Sequence, residues 1–386
     1  MKILFLSAWY PNRYDPMPGL FVKQHAEVVA SQHDVAVLYV HPCNIVEKEI
    51  VCQNIKGVFT TAVYYPSGAN YRWGNQIFVK AFLFLKAFYV GYKTILAGFG
   101  KPDLIHANIL TRVGVVAWLL KIITSVPYVI TEHWSRYLPS RNEYKGFLRK
   151  YFTRLVVGHS SGIATVSHAL KTAMENKKLK HPNFVVVPNS VDTSRFVPGK
   201  ELIKSPKKIF SHISCFDDAA KNITGIITAV DKLSRKRQDF ELHIAGDGPD
   251  RAKIENHCTQ LGLTGTFVFF EGLAEDHTLV EIYQKSLFTV LFSNYENMPV
   301  VIAESMACGV PVIATPVGGI PEILNKTNGL LVETKNTEKL SDAISWMLDY
   351  HADYDAGTIR TFAEVTFGQK AFFDAYQMFY NKAISE

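Results

Sequence analysis

The sequence predicts an α/β chain of two Rossmann-like halves, each a parallel sheet wound by helices. Short apolar runs, beginning with residues 2–7 (KILFLS), read as strands buried on both faces. Stretches of helical length and period separate them, and that alternation builds a parallel sheet. The alternation stops at the stretch 199–206 and restarts at residue 208. The expected division is therefore a first domain at 1–198 and a second at 206–367. A length of 386 residues suits two or three domains with cores of their own.

In the first half, Tyr10-Pro11 and Pro16-Met17-Pro18-Gly19 make the turn that follows the opening strand. A helix at 21–30 and a strand at 34–40 complete a strand–loop–helix–strand unit. Residues 75–99 form a helix whose apolar surface is interrupted by Lys80, Lys86 and Lys93; a packed core helix is expected. Strand 103–107, helix 110–123 and strand 128–131 follow, and the last runs into Glu132-His133-Trp134. Open parallel sheets bind ligands beyond the C-terminal ends of their strands. His106 and His133 both fall there, His106 as a structural strand-end residue and His133 as a site candidate. A helix at 143–159, a strand at 163–166, a helix at 169–176 and a strand at 184–187 close this half.

The second half opens with a strand at 208–213 and the polar turn 214–222, which contains Asp217, Asp218 and Lys221. Strand 242–245 leads into Gly246-Asp247-Gly248-Pro249, and strand 267–270 into Gly272-Leu273. A strand at 287–291 feeds the loop that holds Glu296. Pro299 suits a first helical turn, Val300, Val301, Ala303, Met306 and Ala307 form an apolar face, and Gly309 ends the helix. A buried strand at 310–315 and a turn through Pro316, Gly318 and Gly319 lead to a short helix from Pro321. Helices at 340–348 and 372–384 finish the chain. It shows no internal repeat and no low-complexity tract.

Composition narrows the function. Lys and Arg number 41 against 35 Asp and Glu, a balance of +6 that suits anionic ligands or an anionic membrane surface but is too weak to imply nucleic acid. Cys43, Cys52, Cys215, Cys258 and Cys308 are scattered without a CxxC pair, so buried thiols in a reducing compartment are expected. No signal peptide is recognised. No apolar run is expected to span a membrane, the longest, 77–99, being broken by three lysines.

The stretch 293–324 carries the chemistry. Two helix N-termini flank one buried strand, and such ends offer N–H groups and positive dipoles to a phosphate. Glu296 in the loop and Glu304 within the helix are acceptors for paired hydroxyls of a sugar or ribose. A capping carboxylate and a solvated helical Glu account for the same two residues, and on these grounds alone are favoured.

The spacing Glu296-x7-Glu304, the run 303–312 (AESMACGVPV) and Gly318-Gly319-Ile320-Pro321-Glu322 resemble the signature of the GT4 family of retaining glycosyltransferases. Pro188-Asn189-Ser190-Val191-Asp192 with Phe196 is similar to the segment that ends that family's N-terminal domain, with Ser190 in place of glycine. The resemblance covers nearly the whole chain. It implies the GT-B fold, two Rossmann-like domains facing each other across a cleft, with residues 368–386 crossing back to the first. It implies a cytoplasmic enzyme that uses a nucleoside-diphosphate sugar as co-substrate and no cofactor. Its acceptor would be a saccharide or a lipid-linked molecule.

By the same resemblance, Glu296 holds sugar hydroxyls and Glu304 the ribose. Lys221 grips the diphosphate, which Gly19 also faces, and His133 lies near sugar and acceptor. Gly246, Gly248, Gly272 and Leu273 stand beside the base. Backbone N–H groups of Asn297, Met298 and Val300 reach sugar or phosphate. The family's arginine before Lys221 is absent here and two aspartates stand nearby. Asp353-Tyr354-Asp355 has the spelling of a metal motif but lies far from these residues, so no metal is expected. A nucleotide-sugar epimerase and a non-catalytic nucleotide-sugar binder are the alternatives. The basic residues Arg141, Lys145, Arg149, Lys150 and Arg154 recur at helical spacing, so a peripheral membrane contact through 141–156 is weighed against an ordinary solvated basic face.

Overall fold

The computed structural model describes residues 1–67, 76–141, 143–199 and 207–385. The stretch 200–206, read as a linker, lies outside them. The chain forms two compact units. The first comprises Met1–Val166, Lys171–Val187 and Phe372–Glu386, and the second Ser167–Leu170 and Pro188–Ala371.

The first unit holds strands β1 (Lys2–Ser7), β2 (Asp34–Cys43), β3 (Glu49–Ile55), β4 (Val58–Pro66), β5 (Leu104–Asn108), β6 (Tyr128–Glu132), β7 (Gly162–Thr165) and β8 (Phe184–Val186). They form one sheet in the order β3-β4-β2-β1-β5-β6-β7-β8. Only β3, an edge strand, runs antiparallel to its neighbour. Helices α1 (Leu20–Val29), α2 (Gln76–Gly98), α3 (Val113–Thr124), α4 (Phe147–His159) and α5 (His168–Asn176) connect the strands. Right-handed crossovers sort them by face. The β1–α1–β2 step moves one way along the sheet, while β4–α2–β5, β5–α3–β6 and β6–α4–β7 move the other. Hence α1 covers one face, and α2, α3 and α4 lie on the opposite one.

The second unit has a six-stranded, all-parallel sheet ordered β11-β10-β9-β12-β13-β14. Its strands are β9 (Lys208–Ile213), β10 (Phe240–Ala245), β11 (Val268–Gly272), β12 (Thr289–Leu291), β13 (Val312–Ala314) and β14 (Gly329–Leu331). Its helices are α6 (Asp218–Lys221), α7 (Ile223–Ser234), α8 (Arg251–Gln260), α9 (Asp276–Lys285), α10 (Val300–Ala307), α11 (Ile320–Ile323), α12 (Thr337–Tyr350) and α13 (Ala356–Phe367). Phe210, Phe240 and Ile313 of the sheet and Phe288 just before β12 pack with Ile226, Val230, Ile344 and Leu348 of the helices to form its core.

Helix α14 (Gln369–Ser385) then completes the first unit. Its Phe372, Tyr376, Phe379 and Tyr380 join Phe5, Val22, Ala26 and Val37 in one core, on the sheet face that carries α1. His106 is built into this contact. Its Nδ1 is 2.8 Å from the Tyr380 hydroxyl and its Nε2 2.7 Å from Thr131 Oγ1, and burial pushes its pKa down to about 3.

Several expectations are corrected. Helix α2 is docked by one side only: Ala87, Phe88, Gly91, Tyr92 and Ile95 are buried, while Phe78 and Phe82 are 74% and 64% exposed. It is also long and apolar enough to cross a membrane, three lysines notwithstanding. Helix α4 starts at Phe147, after Gly146 at φ 95°, so Arg141 and Lys145 precede it, and Arg141 pairs with Glu143 at 2.6 Å. Of the five free cysteines, Cys52 and Cys215 are exposed. Asp355 is a helix cap, accepting from Thr358 N at 2.7 Å at the start of α13.

Candidate functional site

Chain geometry in the second unit gathers the loops at the C-terminal ends of its strands. The turn after β9 folds into the single-turn α6, whose N-cap Asp217 accepts from Ala220 N at 3.2 Å. Asp218 accepts from Thr224 N at 2.9 Å and from Lys253 Nζ at 2.8 Å. Burial pushes its carboxyl up, but Lys253 and Thr224 hold it below the usual carboxylate range. Both aspartates that replace the expected arginine thus serve the backbone of this turn.

Lys221 ends α6, and its ammonium pairs with Glu296 Oε1. Ser293 Oγ donates to the same oxygen at 2.9 Å, and Thr315 Oγ1 donates to the Ser293 carbonyl at 2.6 Å. Asn294 ties the Glu296 loop to α6 through its backbone N–H on Ala220 O at 2.8 Å and its side-chain amide on Ala219 O at 3.1 Å. The cation and the carboxylate are therefore held together by both of their loops.

The glycine pair after β13 lies directly against this loop. A Cβ on Gly318, at φ +59°, would sit 2.2 Å from Glu296 O, and one on Gly319 would sit 2.9 Å from Asn297 O. Gly319 N donates to Asn297 O at 2.7 Å and Ile320 N to Val317 O at 3.2 Å. These bonds correct the expectation of two helix ends offered to a phosphate. Helix α11 is a single turn with its first amides engaged, so α10, entered through Pro299, is the helix end that remains. Asn189 Nδ2 donates to Met298 O at 2.9 Å, and Ser167 Oγ to Asn297 Oδ1 at 2.8 Å.

Glu304 is placed differently from Glu296. It is buried in α10, and its Oε2 accepts from the Tyr283 hydroxyl at 2.9 Å. Burial pushes its pKa up to about 7 against the opposing pull of Tyr283 and Arg195. On the other side of Lys221, Gly246 N donates to Gly272 O at 2.7 Å. A Cβ on Gly246 would lie 1.9 Å from Ser214 O, and one on Gly248 2.7 Å from Phe216 N. So Gly246, Gly248 and Gly272 are laced to the turn that carries Lys221, with Leu273 exposed beside them.

In the first unit, Gly19 (φ +73°) starts α1 where a Cβ would sit 2.1 Å from Trp9 O. His133 follows β6, its ring centroid 4.5 Å from that of Phe21 and 5.5 Å from that of His25. Its Nε2 lies 3.4 Å from Asn108 Oδ1, and burial pushes its pKa down to about 3, so the imidazole is neutral at physiological pH. The loop that carries it is held by Glu132. This buried carboxylate accepts from Leu110 N at 3.0 Å, His133 N at 2.9 Å and Trp134 N at 2.8 Å. Burial raises its pKa, opposed by those amides.

Glu132, Asn189, Tyr283 and Ser293 are supports that sequence reasoning missed. Asn189 and Ser293 stand in recognised segments, but no local pattern marks Tyr283, whose partner Glu304 is 21 residues away, or the acceptor role of Glu132, whose partners are backbone amides.

Residues 20–195 match the family model described as Glycosyltransferase Family 4, and residues 194–356 the one described as Glycosyl transferases group 1. TuaC of Bacillus subtilis, a putative teichuronic acid biosynthesis glycosyltransferase, is 25% identical over 366 residues, covering 89% of this chain and 88% of its own. The sucrose-phosphate synthase of Thermosynechococcus elongatus is similar in structure, with a TM-score of 0.79 at 20% identity over 100% of this chain and 99% of its own. Anabaena Alr3699/HepE, solved with UDP and glucose, has a TM-score of 0.75 at 17% identity, covering 99% of each chain. The likeness to the solved structures is one of fold.

Proposed function

Because the chain belongs to glycosyltransferase family 4 and is a glycosyltransferase of the GT-B type, we propose a retaining, metal-independent enzyme. It moves a sugar from a nucleoside-diphosphate sugar to an acceptor hydroxyl. The observation that carries this reading is the contact of Lys221 with Glu296 beside the first turn of α10. In this structure each neutralises the other. On donor binding Lys221 turns to the diphosphate and Glu296 to hydroxyls of the sugar. Glu304 takes the ribose, and the exposed Leu273 beside Gly272 offers an apolar surface to the base. The first N–H groups of α10 add positive potential where the leaving phosphate gathers charge.

In the reaction the bond from the anomeric carbon to the phosphate oxygen breaks. A bond to the acceptor oxygen forms on the same face, and the acceptor proton passes to the departing phosphate. His133, neutral and held by the Glu132 loop, positions the sugar and the acceptor hydroxyl. The acceptor is a saccharide or a lipid-linked molecule of cell-surface polysaccharide or lipid-linked oligosaccharide synthesis. The likeness to TuaC, whose name gives it as a putative teichuronic acid biosynthesis glycosyltransferase, supports that class. The enzyme works in the cytoplasm, with a peripheral contact to the inner face of the cell membrane around residues 141–156.

A panel of nucleotide sugars, UDP-glucose first, screened by calorimetry and by slow hydrolysis tests the reading. Glu296→Ala is expected to abolish transfer and hydrolysis. Glu304→Ala is expected mainly to weaken donor binding, by about tenfold to a hundredfold for one lost hydrogen bond to a charged group. The product should keep the donor's anomeric configuration, and chelators should leave the rate unchanged. Wild-type rates in both variants would remove the site from this loop, and an inverted product would overturn the mechanism.

A further inference from the structure

The face of the first unit that carries α2, α3 and α4 shows an unusual combination of surface and charge. On α2, Phe78, Phe82, Leu85, Tyr89 and Leu96 are exposed. Their spacings of four, three, four and seven residues keep them within about 60° of one another around the helix, over about 27 Å of its length. The opposite side is fixed to the sheet. A Cβ on Gly91 would meet Leu38 Cδ1 at 2.4 Å and one on Gly98 would meet Phe59 Cζ at 2.7 Å. A helix docked this closely along one side does not cross a bilayer, and its length and composition call for another explanation.

Charge supplies it. Lys86 and Lys93 flank the stripe on one side, with the Lys93 ammonium 4.9 Å from the Tyr89 ring centroid. Helix α4 repeats the arrangement, with Phe147 (81% exposed), Leu148, Tyr151 and Phe152 beside Arg149, Lys150 and Arg154. Helix α3 lies against α4, since a Cβ on Gly114 would sit 2.8 Å from Val156 Cγ1, and it exposes Ile122 and Ile123 at its end. None of the three helices contains an Asp or a Glu, and between residues 50 and 174 the carboxylates are Asp103, Glu132 and Glu143 alone. A protein partner would meet such a face with matching acids and a shaped recess. A long apolar ridge rimmed by cations, with no acid on α2, α3 or α4, matches the interface of an anionic bilayer instead, where apolar side chains enter and lysines reach the headgroups.

We propose that this face rests on an anionic lipid surface, with the stripe Phe78–Leu96 of α2 as the part that inserts. The proposal rests on the peripheral contact read above for residues 141–156, and it moves the main insertion from α4 to α2. The lipid-bound position would keep the first unit beside a lipid-linked acceptor.

Co-sedimentation with vesicles of phosphatidylcholine, with and without phosphatidylglycerol, at low and high salt, tests it. The wild-type chain is expected to pellet with the anionic vesicles and to be released by salt. A variant with Phe78, Phe82, Leu85 and Tyr89 changed to Ser should stay in solution. Lys86 and Lys93→Gln should weaken the partition to anionic vesicles about fivefold per lysine. Melting temperature and nucleotide binding serve as controls, and both should match the wild type. If the serine variant pellets as the wild type does while an Arg149, Lys150 and Arg154→Gln variant does not, α2 is excluded and the 141–156 contact stands. Equal binding to neutral vesicles, or a wild-type chain that never pellets, overturns the proposal. So does a wild-type dimer that the serine variant dissolves, which would assign the face to a second copy.

Discussion

Glu304 and Glu296 have the same side chain and opposite surroundings, and the difference is measurable. Glu304 holds its proton to about pH 7 because burial penalises the charge. Its folded pKa lies above the ordinary carboxylate value. The stability gained from the bound proton is thus complete below about pH 4.5 and is lost as the pH rises through 7. Glu304→Gln keeps the site neutral at every pH. Melting temperatures of the two proteins between pH 5 and 8 should diverge, with the variant gaining on the wild type as pH rises; parallel curves would exclude a buried proton. Donor affinity should move the other way in the wild type. A charged carboxylate accepts ribose hydroxyls better than a neutral one, so affinity should improve from pH 6 to 8 and this gain should vanish in the Gln variant. Calorimetry with the nucleoside diphosphate that the panel identifies would measure it.

At the level of loops and helices, Glu296 depends on backbone that tolerates no side chain behind it. Gly318→Ala would combine a positive φ with a contact of 2.2 Å to Glu296 O. We expect a loss of about 1–3 kcal/mol from strain, displacement of the Glu296 loop, and donor binding that falls further than the melting temperature does. Retention of wild-type affinity would show that the loop is not positioned from behind. In the first unit, Glu132→Ala leaves three amide donors of the His133 loop without their acceptor. Each buried unsatisfied group costs about 1–3 kcal/mol, so a clear drop in melting temperature is expected, and an unchanged one would mean that water replaces the carboxylate at no cost.

Legibility followed burial. The strands β1, β5, β6 and β9 were readable because both faces are covered and the apolar run is continuous. The β3–β4 hairpin was not, because β3 is an exposed edge with polar residues on both sides. A local signal for its turn does exist: Lys56 and Gly57 take φ values of 50° and 80°, as a two-residue hairpin requires. Helix α8 escaped for a related reason, since Ile254 and Cys258 are its buried residues on an otherwise polar surface. For α2 the composition was plain, but which side of it faces the sheet is decided by Gly91 and Gly98 against residues of β2 and β4, which no local pattern reveals. In the site, the glycines and the Glu spacing were legible as a motif. The pairing of Lys221 with Glu296, 75 residues apart, is a property of the folded sheet.

For the whole molecule, the first unit is assembled from both ends of the described chain. Tyr376 and Tyr380 of α14 close over His106 and Thr131, with Tyr376 Oη 2.9 Å from Thr131 Oγ1. A chain stopped after Ala371 should therefore lose the first unit's cooperative melting while the second unit still melts as a unit, and two-probe thermal unfolding would separate them. During synthesis the same feature sets an order of events. The strands of the first unit leave the ribosome well before the residues that seal them, and the whole second unit is translated in between. At about 5–20 residues per second the unfinished sheet waits roughly ten to forty seconds for its cover. Through that interval the surface around Phe5, Val22 and Val37 is a client for chaperones, and the second unit, though translated later, is the first able to finish folding.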